Sequence, residues 1–363
     1  MSSSPPSPIA SVIVPCWDSA PWLNAALDSV LPAADALAPR AAEIVCSDDG
    51  STDSTPSILA ERAAADPRIR VLSLPHRGVS AARNAALDAA RGKYILFLDP
   101  DDTVSPDWLS AGIDAMESSG ADWCVSPFRV RDGDDAPFRV LPLKGDYRFS
   151  SNDAIVAGYV SRLVGYSFAD LRRWFAGEPL FAPRELGSVC RCVFRRDMIE
   201  GGHVRFDESI GLWEDAFFNC EYLLHASHTT VLNRALYDYT VRPSGATARL
   251  NASPRRVENK FRLLALRHRL DDISGGRLAP LYAASCVLAP LEIIATFRRS
   301  GVGLRGAFQA AREYLRDPAA ARALRECPIS WRRPLFSAGV LLLRAIRKWP
   351  SSPRDRRKAP VFL

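Results

Sequence analysis

The sequence predicts an α/β protein: a doubly wound, mostly parallel sheet with helices on both faces, followed by a helical C-terminal extension. In the first hundred residues, short apolar runs alternate with segments of helical periodicity, which is the βαβ order of a parallel sheet. Acidic residues follow several of these runs directly, at the position where open α/β sheets bind ligands. From about Ser253 onward the pattern is almost wholly helical. The 363 residues allow one large domain and a smaller addition.

The first predicted elements alternate regularly. Four apolar runs are predicted as strands, at residues 11–14 (ending at Pro15), 43–46, 69–74 and 94–98. Helices are expected between them, at residues 22–31 (with Asp18 or Ser19 as the N-terminal cap), 55–65 and 78–90. The βαβαβαβ order predicts that these strands lie parallel and that the helices cover both faces of the sheet.

After Asp102 the rhythm changes. The later elements are predicted as a helix at 106–118, a strand at 121–128, a hairpin or loop at 131–137, helices or a lid at 152–183, a strand at 189–194 and a helix at 213–225. Ser253-Pro254 is a helix-start signal. An apolar stretch at 278–297 is interrupted by Pro280, Pro290 and Glu292, which favours a buried helix pair over a membrane span.

The charge of the chain is concentrated at its C-terminus. The net charge is +6, and residues 331–363 carry nine Lys or Arg against one acid, so the rest of the chain is close to −2. A basic tail could bind nucleic acid or an anionic membrane surface, or could be a solvated end of the chain.

The eight cysteines are scattered along the chain. Only Cys190 and Cys192 are close in sequence, and a single pair of this kind lacks the spacing of a zinc site. We expect reduced, structural thiols in a cytosolic compartment.

The strand predicted at residues 94–98 runs directly into Asp99, Asp101 and Asp102. Carboxylates crowded this closely repel one another unless a cation lies among them. Asp99 and Asp101 can both turn toward one hard metal ion such as Mg²⁺ or Mn²⁺. An acidic β-turn is the alternative interpretation.

Two further signals lie near the predicted strand ends. Asp48-Asp49-Gly50-Ser51-Thr52-Asp53 follows the second strand, where an acid could accept a hydrogen bond from a ribose or a base, or could cap a helix. Arg83 lies one turn into a helix, where it could bind a diphosphate or a base carbonyl, or pair with Asp88 or another acid.

Two signals come from the second half of the chain. Glu214 and Asp215 begin a predicted helix, where acids are favoured by the helix dipole and where one could also act as a general base. The segment from Tyr237 to Thr247 combines strand-like alternation with Arg242, Ser244 and a flexible turn. That composition could close over phosphates or form an exposed loop.

Together these motifs resemble the family 2 glycosyltransferases, an inverting group with the GT-A fold. The likeness covers roughly residues 8–247, about two thirds of the chain. The matching segments are Val14-Pro15-Cys16-Trp17-Asp18 (V-P-x-Y-N in the family), Asp48–Asp53 (D-D-G-S-T-D), Ala82-Arg83-Asn84 (A-R-N), Phe97–Asp102 (F-L-D-x-D-D) and Glu214-Asp215 (E-D). Each motif is weak alone, and their shared order makes the match specific.

The resemblance implies a role for each matching position. The nucleotide of a sugar donor would be held by Pro15, Trp17, Asp48 or Asp49, and Arg83. Asp101, with Asp99 helping, would carry Mn²⁺ or Mg²⁺ on the donor diphosphate, on which Arg242, Ser244 and Thr247 could close. Asp215 would be the base that deprotonates the acceptor hydroxyl, with Glu214 as the alternative. The expected donor is a UDP-sugar and the expected acceptor a glycan or lipid-linked glycan, with no nucleic acid partner.

Three positions depart from the family pattern: Trp17-Asp18 replaces Tyr-Asn, His76-Arg77 precedes Gly78, and Trp213 replaces a small residue before the acidic pair. The indole of Trp213 could form a stacking platform for an acceptor sugar.

Two other functions fit parts of the pattern. Residues 99–103 match the D-x-D-x-T of haloacid dehalogenase-like phosphatases, with Asp99 as nucleophile, and a non-catalytic nucleotide-sugar-binding module would also fit. A dinucleotide-dependent oxidoreductase is disfavoured because no G-x-G-x-x-G follows the first strand.

The expected domains follow from these assignments. Residues 1–8 are a disordered lead-in without signal-peptide features. Residues 9–250 form the GT-A domain, with a nucleotide-binding half at 9–102 and an acceptor half at 103–250. Residues 251–363 form a helical, basic region whose apolar stretch at 335–343 either lies in a membrane interface or packs on the catalytic domain. The expected location is the cytoplasm, with the inner face of the cell membrane as the site if the C-terminal region binds lipid.

Overall fold

The computed structural model describes residues 7–179, 185–242, 256–299 and 304–348. They form two compact units. The first comprises the described residues before Val164 together with those from Glu185 to Arg242. The second contains the segment that begins at Val164 and the C-terminal helices, so residues 164–179 cluster with the C-terminal region and not with the first unit.

The first half of the first unit alternates strands and helices as predicted. Its elements are β1 (Ala10–Cys16), α1 (Ala20–Asp35), β2 (Ala42–Asp48), α2 (Thr55–Ala65), β3 (Ile69–Ser73), α3 (Val79–Ala89), β4 (Tyr94–Phe97), β5 (Thr103–Val104) and α4 (Trp108–Ser119). β1 continues through Pro15, where the sequence pattern predicted its end. Ser19 stands at the N-cap position of α1, but neither its side chain nor that of Asp18 caps the helix; the Ala20 N–H donates to Asp53 at 3.1 Å.

The second half of the first unit is more irregular. Its elements are β6 (Trp123–Val125), β7 (Phe128–Asp132), β8 (Arg139–Leu141), α5 (Asn152–Ile155), a π-helical turn (Val156–Val160), α6 (Ser161–Leu163), a 3₁₀ turn (Val189–Arg191), β9 (Cys192–Arg195), α8 (Arg196–Gly201), α9 (Glu214–His225), β10 (Thr229–Val231) and β11 (Tyr237–Val241). The single strand predicted at 121–128 is wrong, since β6 and β7 belong to different sheets. The polar segment after β7 connects it to β8 as a hairpin.

The larger sheet has the strand order β10-β6-β9-β4-β1-β2-β3. β1 pairs in parallel with both β2 and β4, and β2 pairs in parallel with β3. β9 runs antiparallel to its neighbours β4 and β6. The prediction of a mostly parallel α/β sheet with a helical extension is confirmed, and a four-stranded second sheet, β5-β11-β7-β8, adds to it.

All seven residues of β1 are buried, as expected of a central strand covered on both faces. At its start, Ser11 donates to the buried Glu43 at 2.6 Å, and Glu43 also accepts from the Arg91 N–H at 2.6 Å. Gly92 donates its N–H to Ser11 Oγ at 2.8 Å. These bonds hold the α3–β4 connection against the start of β1, and so position the start of β4.

The second unit is helical. It contains α7 (Phe168–Ala176), α10 (Arg256–Ile273), α11 (Ala279–Arg299), α12 (Leu304–Tyr314), α13 (Pro318–Glu326) and α14 (Pro334–Lys348). The helix pair predicted at 278–297 is wrong: α11 is one helix that contains Pro290. The predicted start signal Ser253-Pro254 lies outside the described residues. None of the helices in the described ranges combines the length and apolarity needed to cross a membrane.

Gly92 offers a test of how tightly the β1 neighbourhood is packed. A Cβ at this position would lie 2.4 Å from the backbone of Ala10 and Ser11. Gly92→Ala should therefore lower the free energy of unfolding by about 1–3 kcal/mol, the usual cost of overpacking. The measurement is urea denaturation. Gly201→Ala is the matched control, because a Cβ there meets nothing within 4 Å. Equal stability of the two variants would contradict the packing argument.

Candidate active site

The strand order places three of the predicted motifs at one edge of the larger sheet. β4, β1 and β2 are adjacent and parallel, so their carboxyl ends lie side by side. Pro15 and Trp17 lie at the end of β1, Asp48 ends β2, and Asp99 follows β4. Ligands of open α/β sheets bind outside these strand ends.

Asp48 and Asp49 are both buried and hydrogen-bonded within the protein. Asp49 accepts from the Arg77 and Gly78 N–H groups, each at 2.8 Å, and its carboxylate lies 2.8 Å from His76 Nδ1. Asp48 Oδ1 accepts from the Ser51 N–H at 3.2 Å and from its hydroxyl. Among the described residues no hydrogen bond reaches Asp48 Oδ2. Asp49 therefore ties two loops together, and Asp48 keeps an oxygen for a further partner.

An aromatic surface lies beside these acids. The rings of Trp17 and His76 stack with centroids 4.8 Å apart and an angle of 21° between their planes. Trp17 is 42% exposed. Trp17 and His76 are two of the positions at which the sequence departs from the family pattern, and their side chains contact each other.

Arg83, on α3, joins three carboxylates. Its Nη1 lies 2.7 Å from Asp215 and 3.4 Å from Glu214, and its Nη2 lies 3.0 Å from Asp99. The side chain is 4% exposed, and its guanidinium lies over the Phe206 ring at 5.2 Å. Burial lowers the pKa of Arg83, but the Asp215, Asp99 and Glu214 carboxylates outweigh it and hold that pKa well above its usual range. The cluster thus joins the end of β4 to the start of α9.

Asp215 lies in the first turn of α9. The pKa of Asp215 is raised to about 7. Burial is the largest cause, the Arg83 guanidinium opposes it by lowering the pKa, and the carboxylates of Glu214 and Asp99 raise the pKa further. About a fifth of the side chain remains exposed, and the Val189 N–H donates to its Oδ2 at 3.3 Å. A carboxylate with a pKa near neutrality and access to solvent is suited to general base chemistry.

Trp213, immediately before the acidic pair, has an unusual backbone. Its φ is +74°, a left-handed conformation that is uncommon for a bulky residue. Its side chain is 53% exposed. Strain of this kind persists where the surrounding structure imposes it. The exposed indole leaves an apolar surface next to Glu214 and Asp215, which is consistent with the predicted platform and does not test it.

The three acids after β4 differ in their surroundings. Asp102 is buried, and accepts from the Tyr237 hydroxyl at 2.9 Å and the Thr240 N–H at 3.0 Å. Burial, then Asp99 and Asp101, raise its pKa well above the usual range. Asp102 therefore fastens the turn to β11. Asp99 and Asp101 keep 31% and 33% of their side chains exposed.

Asp101 is paired with Arg242. Arg242 Nη1 donates to the Asp101 carbonyl at 2.6 Å and to its carboxylate at 3.1 Å, while Nη2 donates to Asp134 at 3.0 Å. Burial and the nearby Asp99 raise the pKa of Asp101, which Arg242 opposes. Ser244 and Thr247, predicted to act with Arg242, lie outside the described residues.

The described residues contain no group of three or more His, Cys, Asp or Glu side chains arranged to hold a metal ion. Asp99 and Asp101 still fit a hard cation, because both are partly exposed carboxylates near one another. Mg²⁺ is often held by one or two carboxylates together with substrate phosphates and water. A site of that kind needs no third protein ligand.

Sequence patterns missed the segment that supports Asp215. Arg191 and Glu185 form an ion pair at 2.8 Å, with side chains 1% and 2% exposed. Glu185 also accepts from the Tyr147 hydroxyl, and Arg191 Nε donates to the Ser126 carbonyl at 2.9 Å. The 3₁₀ turn that this pair holds supplies the Val189 N–H to Asp215. A backbone donor leaves no signal in a sequence.

A close approach between Gly187 and α9 was also missed. A Cβ on Gly187 would lie 2.6 Å from Ala216 Cβ, and Asn219 donates its side-chain amide to the Gly187 carbonyl at 2.8 Å. The lone Gly187 between Leu186 and Ser188 is the one available sequence signal, since an isolated glycine often marks a close backbone contact.

Comparison with known proteins agrees with these motifs. Residues 11–175 match the family model described as Glycosyl transferase family 2. The chain is similar to the succinoglycan biosynthesis protein ExoO of Rhizobium meliloti (strain 1021), with 30% identity over 236 residues, 65% of this chain and 61% of that protein. It is also similar to the uncharacterized glycosyltransferase EpsJ of Bacillus subtilis (strain 168), with 28% identity over 66% of this chain and 63% of that protein. The matches span about three fifths of these relatives.

Among solved structures the chain is similar to S. aureus TarS 1-349, with a TM-score of 0.57 and 18% identity over 97% of this chain and 92% of that chain. The same protein in complex with UDP-GlcNAc gives a TM-score of 0.61 and 19% identity over 93% of this chain and 90% of that one. At this level of identity the likeness concerns the fold.

Proposed function

We propose that the chain, whose residues 11–175 match the family 2 model and whose GT-A fold is the one predicted from its sequence, is a metal-dependent inverting glycosyltransferase of that family. It moves a sugar from a nucleotide-sugar donor to a hydroxyl of a glycan or lipid-linked glycan, in the synthesis of a bacterial surface polysaccharide. The observation that carries this proposal is the Arg83 cluster, which brings Asp99 of the metal motif within reach of the same guanidinium as Asp215.

In this proposal Asp215 is the base. Its ionised carboxylate accepts the proton of the acceptor hydroxyl as the acceptor oxygen attacks the anomeric carbon. The bond from that carbon to the donor diphosphate breaks on the opposite face, so the configuration inverts. Arg83 favours the ionised form of Asp215, and burial opposes it, which leaves the pKa of about 7 that suits a base near neutral pH.

Pro15, Trp17 and one of the acids Asp48 and Asp49 are proposed to hold the nucleotide. Asp48 is favoured, because the Arg77 and Gly78 N–H groups already engage both carboxylate oxygens of Asp49. Support comes from their common edge of the sheet, from the exposed Trp17 ring and from the Asp48 oxygen that no described residue engages. The UDP-GlcNAc complex of the similar TarS supports a UDP-sugar as the donor. The predicted contact of Arg83 with the nucleotide stays a prediction, since carboxylates surround its guanidinium here.

Asp101, with Asp99 helping, is proposed to hold Mn²⁺ or Mg²⁺. When bound, such a cation neutralises the charge that develops on the leaving diphosphate. Arg242 lies against Asp101 and is proposed to contact the same diphosphate, together with Ser244. The positive charge of the Arg242 guanidinium complements a diphosphate and supports this assignment.

The class of acceptor and the cellular location are also part of the proposal. The name of the ExoO relative refers to succinoglycan biosynthesis, which supports a polysaccharide product. The eight cysteines are free and buried, as expected of a reducing compartment, and we propose that the enzyme works on the cytoplasmic side of the cell membrane.

The assignment of Asp215 as the base can be tested by replacing each of the two carboxylates, Asp215 and Glu214, with the corresponding amide. Asp215→Asn should lower sugar transfer by about 10²–10⁴-fold, the usual contribution of base catalysis, and should leave the donor dissociation constant nearly unchanged. Glu214→Gln should retain transfer. The measurements are product formation with a panel of nucleotide sugars and acceptors, and donor binding by calorimetry.

The reverse pattern, with Glu214→Gln inactive and Asp215→Asn active, would move the base to Glu214. Absence of nucleoside diphosphate release from every nucleotide sugar, combined with release of phosphate from small phosphoesters, would overturn the proposed function in favour of a phosphohydrolase.

The pH dependence of transfer gives a separate test. Asp215 accepts a proton only when ionised, so activity should fall as the pH drops through about 7. Glu214→Gln removes a negative charge that raises the pKa of Asp215. The acid limb of kcat/KM should therefore move to lower pH in this variant. An acid limb that stays in place, or moves to higher pH, would contradict the assignment.

Metal binding can be tested at Asp101. Asp101→Asn should abolish the metal-dependent part of donor binding, measured by calorimetry with and without Mn²⁺, because an amide oxygen is a weaker ligand for a hard cation than a carboxylate. Asp134→Asn is the matched control: it removes the other carboxylate partner of Arg242 and leaves Asp99 and Asp101 intact. If both variants lost the Mn²⁺ dependence of donor binding to the same extent, that dependence would be assigned to Arg242 and not to metal binding by Asp101.

A further inference from the structure

The last described helix of the second unit, α14, has two apolar faces. One face packs inside the unit through the buried residues Phe336, Val340, Leu343 and Ile346. The other is exposed: Leu335 is 89% exposed, Leu341 51% and Leu342 44%. Just before the helix, Trp331 is 84% exposed and Ile329 49%. A concentration of large exposed apolar side chains of this kind marks an interaction surface.

The surface formed by Ile329, Trp331, Leu335, Leu341 and Leu342 is set in a strongly basic part of the chain. Residues 304–348 contain ten Lys or Arg and three acids. Arg332 lies over the Trp331 ring, with its guanidinium carbon 5.4 Å from the ring centroid. The surface therefore combines exposed apolar side chains with neighbouring cations.

Arginines also line a cavity in the same unit. Arg312, Leu315, Arg316 and Arg347 surround an open volume of about 470 Å³. Arg316 is paired with Glu313, whereas Arg312 and Arg347 have no ion-pair partner among the described residues. Arg347 lies on α14 itself, so this cavity and the exposed apolar surface share a helix. Three arginines that line one volume suit an anion such as a phosphate.

We propose that α14 docks on an anionic phospholipid surface. Trp331, Leu335, Leu341 and Leu342 enter the boundary between headgroups and acyl chains, and the arginines bind lipid phosphates. This is the pattern of an interfacial helix, with an apolar face and a basic polar surround. Charge complementarity selects this occupant: a second copy of the same surface or the basic C-terminal tail would bring like charges together, whereas anionic lipid neutralises them.

The test is vesicle flotation of the full chain, which requires neither donor nor acceptor. The protein should float with vesicles that contain phosphatidylglycerol, float much less with vesicles of phosphatidylcholine alone, and lose binding as salt is raised. The double variant Leu335→Glu with Leu342→Glu should lose flotation. Val140→Glu with Leu186→Glu is the matched control, because both residues are exposed and belong to the first unit; it should float like the wild type.

The arginines are tested separately. Arg312→Gln and Arg347→Gln should each weaken binding to the phosphatidylglycerol vesicles about fivefold, which corresponds to about 1 kcal/mol per charge near an anionic surface. A chain with Arg354, Arg356, Arg357 and Lys358 changed to Gln should still float if α14 is the main contact.

Three results would overturn the proposal: equal flotation of the Leu335→Glu/Leu342→Glu variant and the wild type, loss of flotation in the tail variant alone, or no preference for anionic lipid. Concentration-dependent dimerisation that the same leucine changes abolish would identify a second copy as the occupant. Because flotation does not depend on catalysis, failure here leaves the proposed sugar transfer standing, and the reverse also holds.

Discussion

The arrangement of the candidate site depends on one buried guanidinium. Arg83 is almost wholly enclosed, and it lies within ion-pair distance of Asp99, Glu214 and Asp215. Removing one partner of a buried pair commonly costs about 3–5 kcal/mol, because the remaining charge is left without compensation. Here one cation compensates three acids that come from the end of β4 and the start of α9. Without it these acids would repel one another, and the two elements could not meet as they do.

Burial divides the acids of the site into two groups. Asp49 and Asp102 lie inside the protein, and backbone N–H groups and side-chain donors of the protein surround them, so they hold loops in place. Asp99, Asp101 and Asp215 keep part of their surface open to solvent. A buried carboxylate that is fully hydrogen-bonded has little to offer a ligand, whereas a partly open one can accept a metal ion or a proton.

The sequence was a good guide where local pattern decides structure. α2 and α9 lie where the sequence pattern placed them, and the acids after β4 follow a buried strand as expected. The sequence was a poor guide where contacts between distant segments of the chain decide the structure. Pro127 marks a break between β6 and β7, but the pattern of residues 121–128 does not show that the two strands enter different sheets, and Pro290 does not show that α11 continues past it. The three carboxylate partners of Arg83 were equally hidden, because Asp88 is nearer in sequence and yet pairs with Arg205.

The position of Asp215 is set from outside its own helix. A buried ion pair such as Glu185–Arg191 is weak support for stability, because desolvation offsets much of the attraction between the charges. Its effect on geometry is clearer. Arg191 bonds to the Ser126 carbonyl and Glu185 bonds to Tyr147, so the turn between them has little freedom. That turn carries the Val189 N–H to Asp215 Oδ2, opposite the oxygen that Arg83 binds. The carboxylate is thus held by one donor on each oxygen, and rotation of the group would break both bonds.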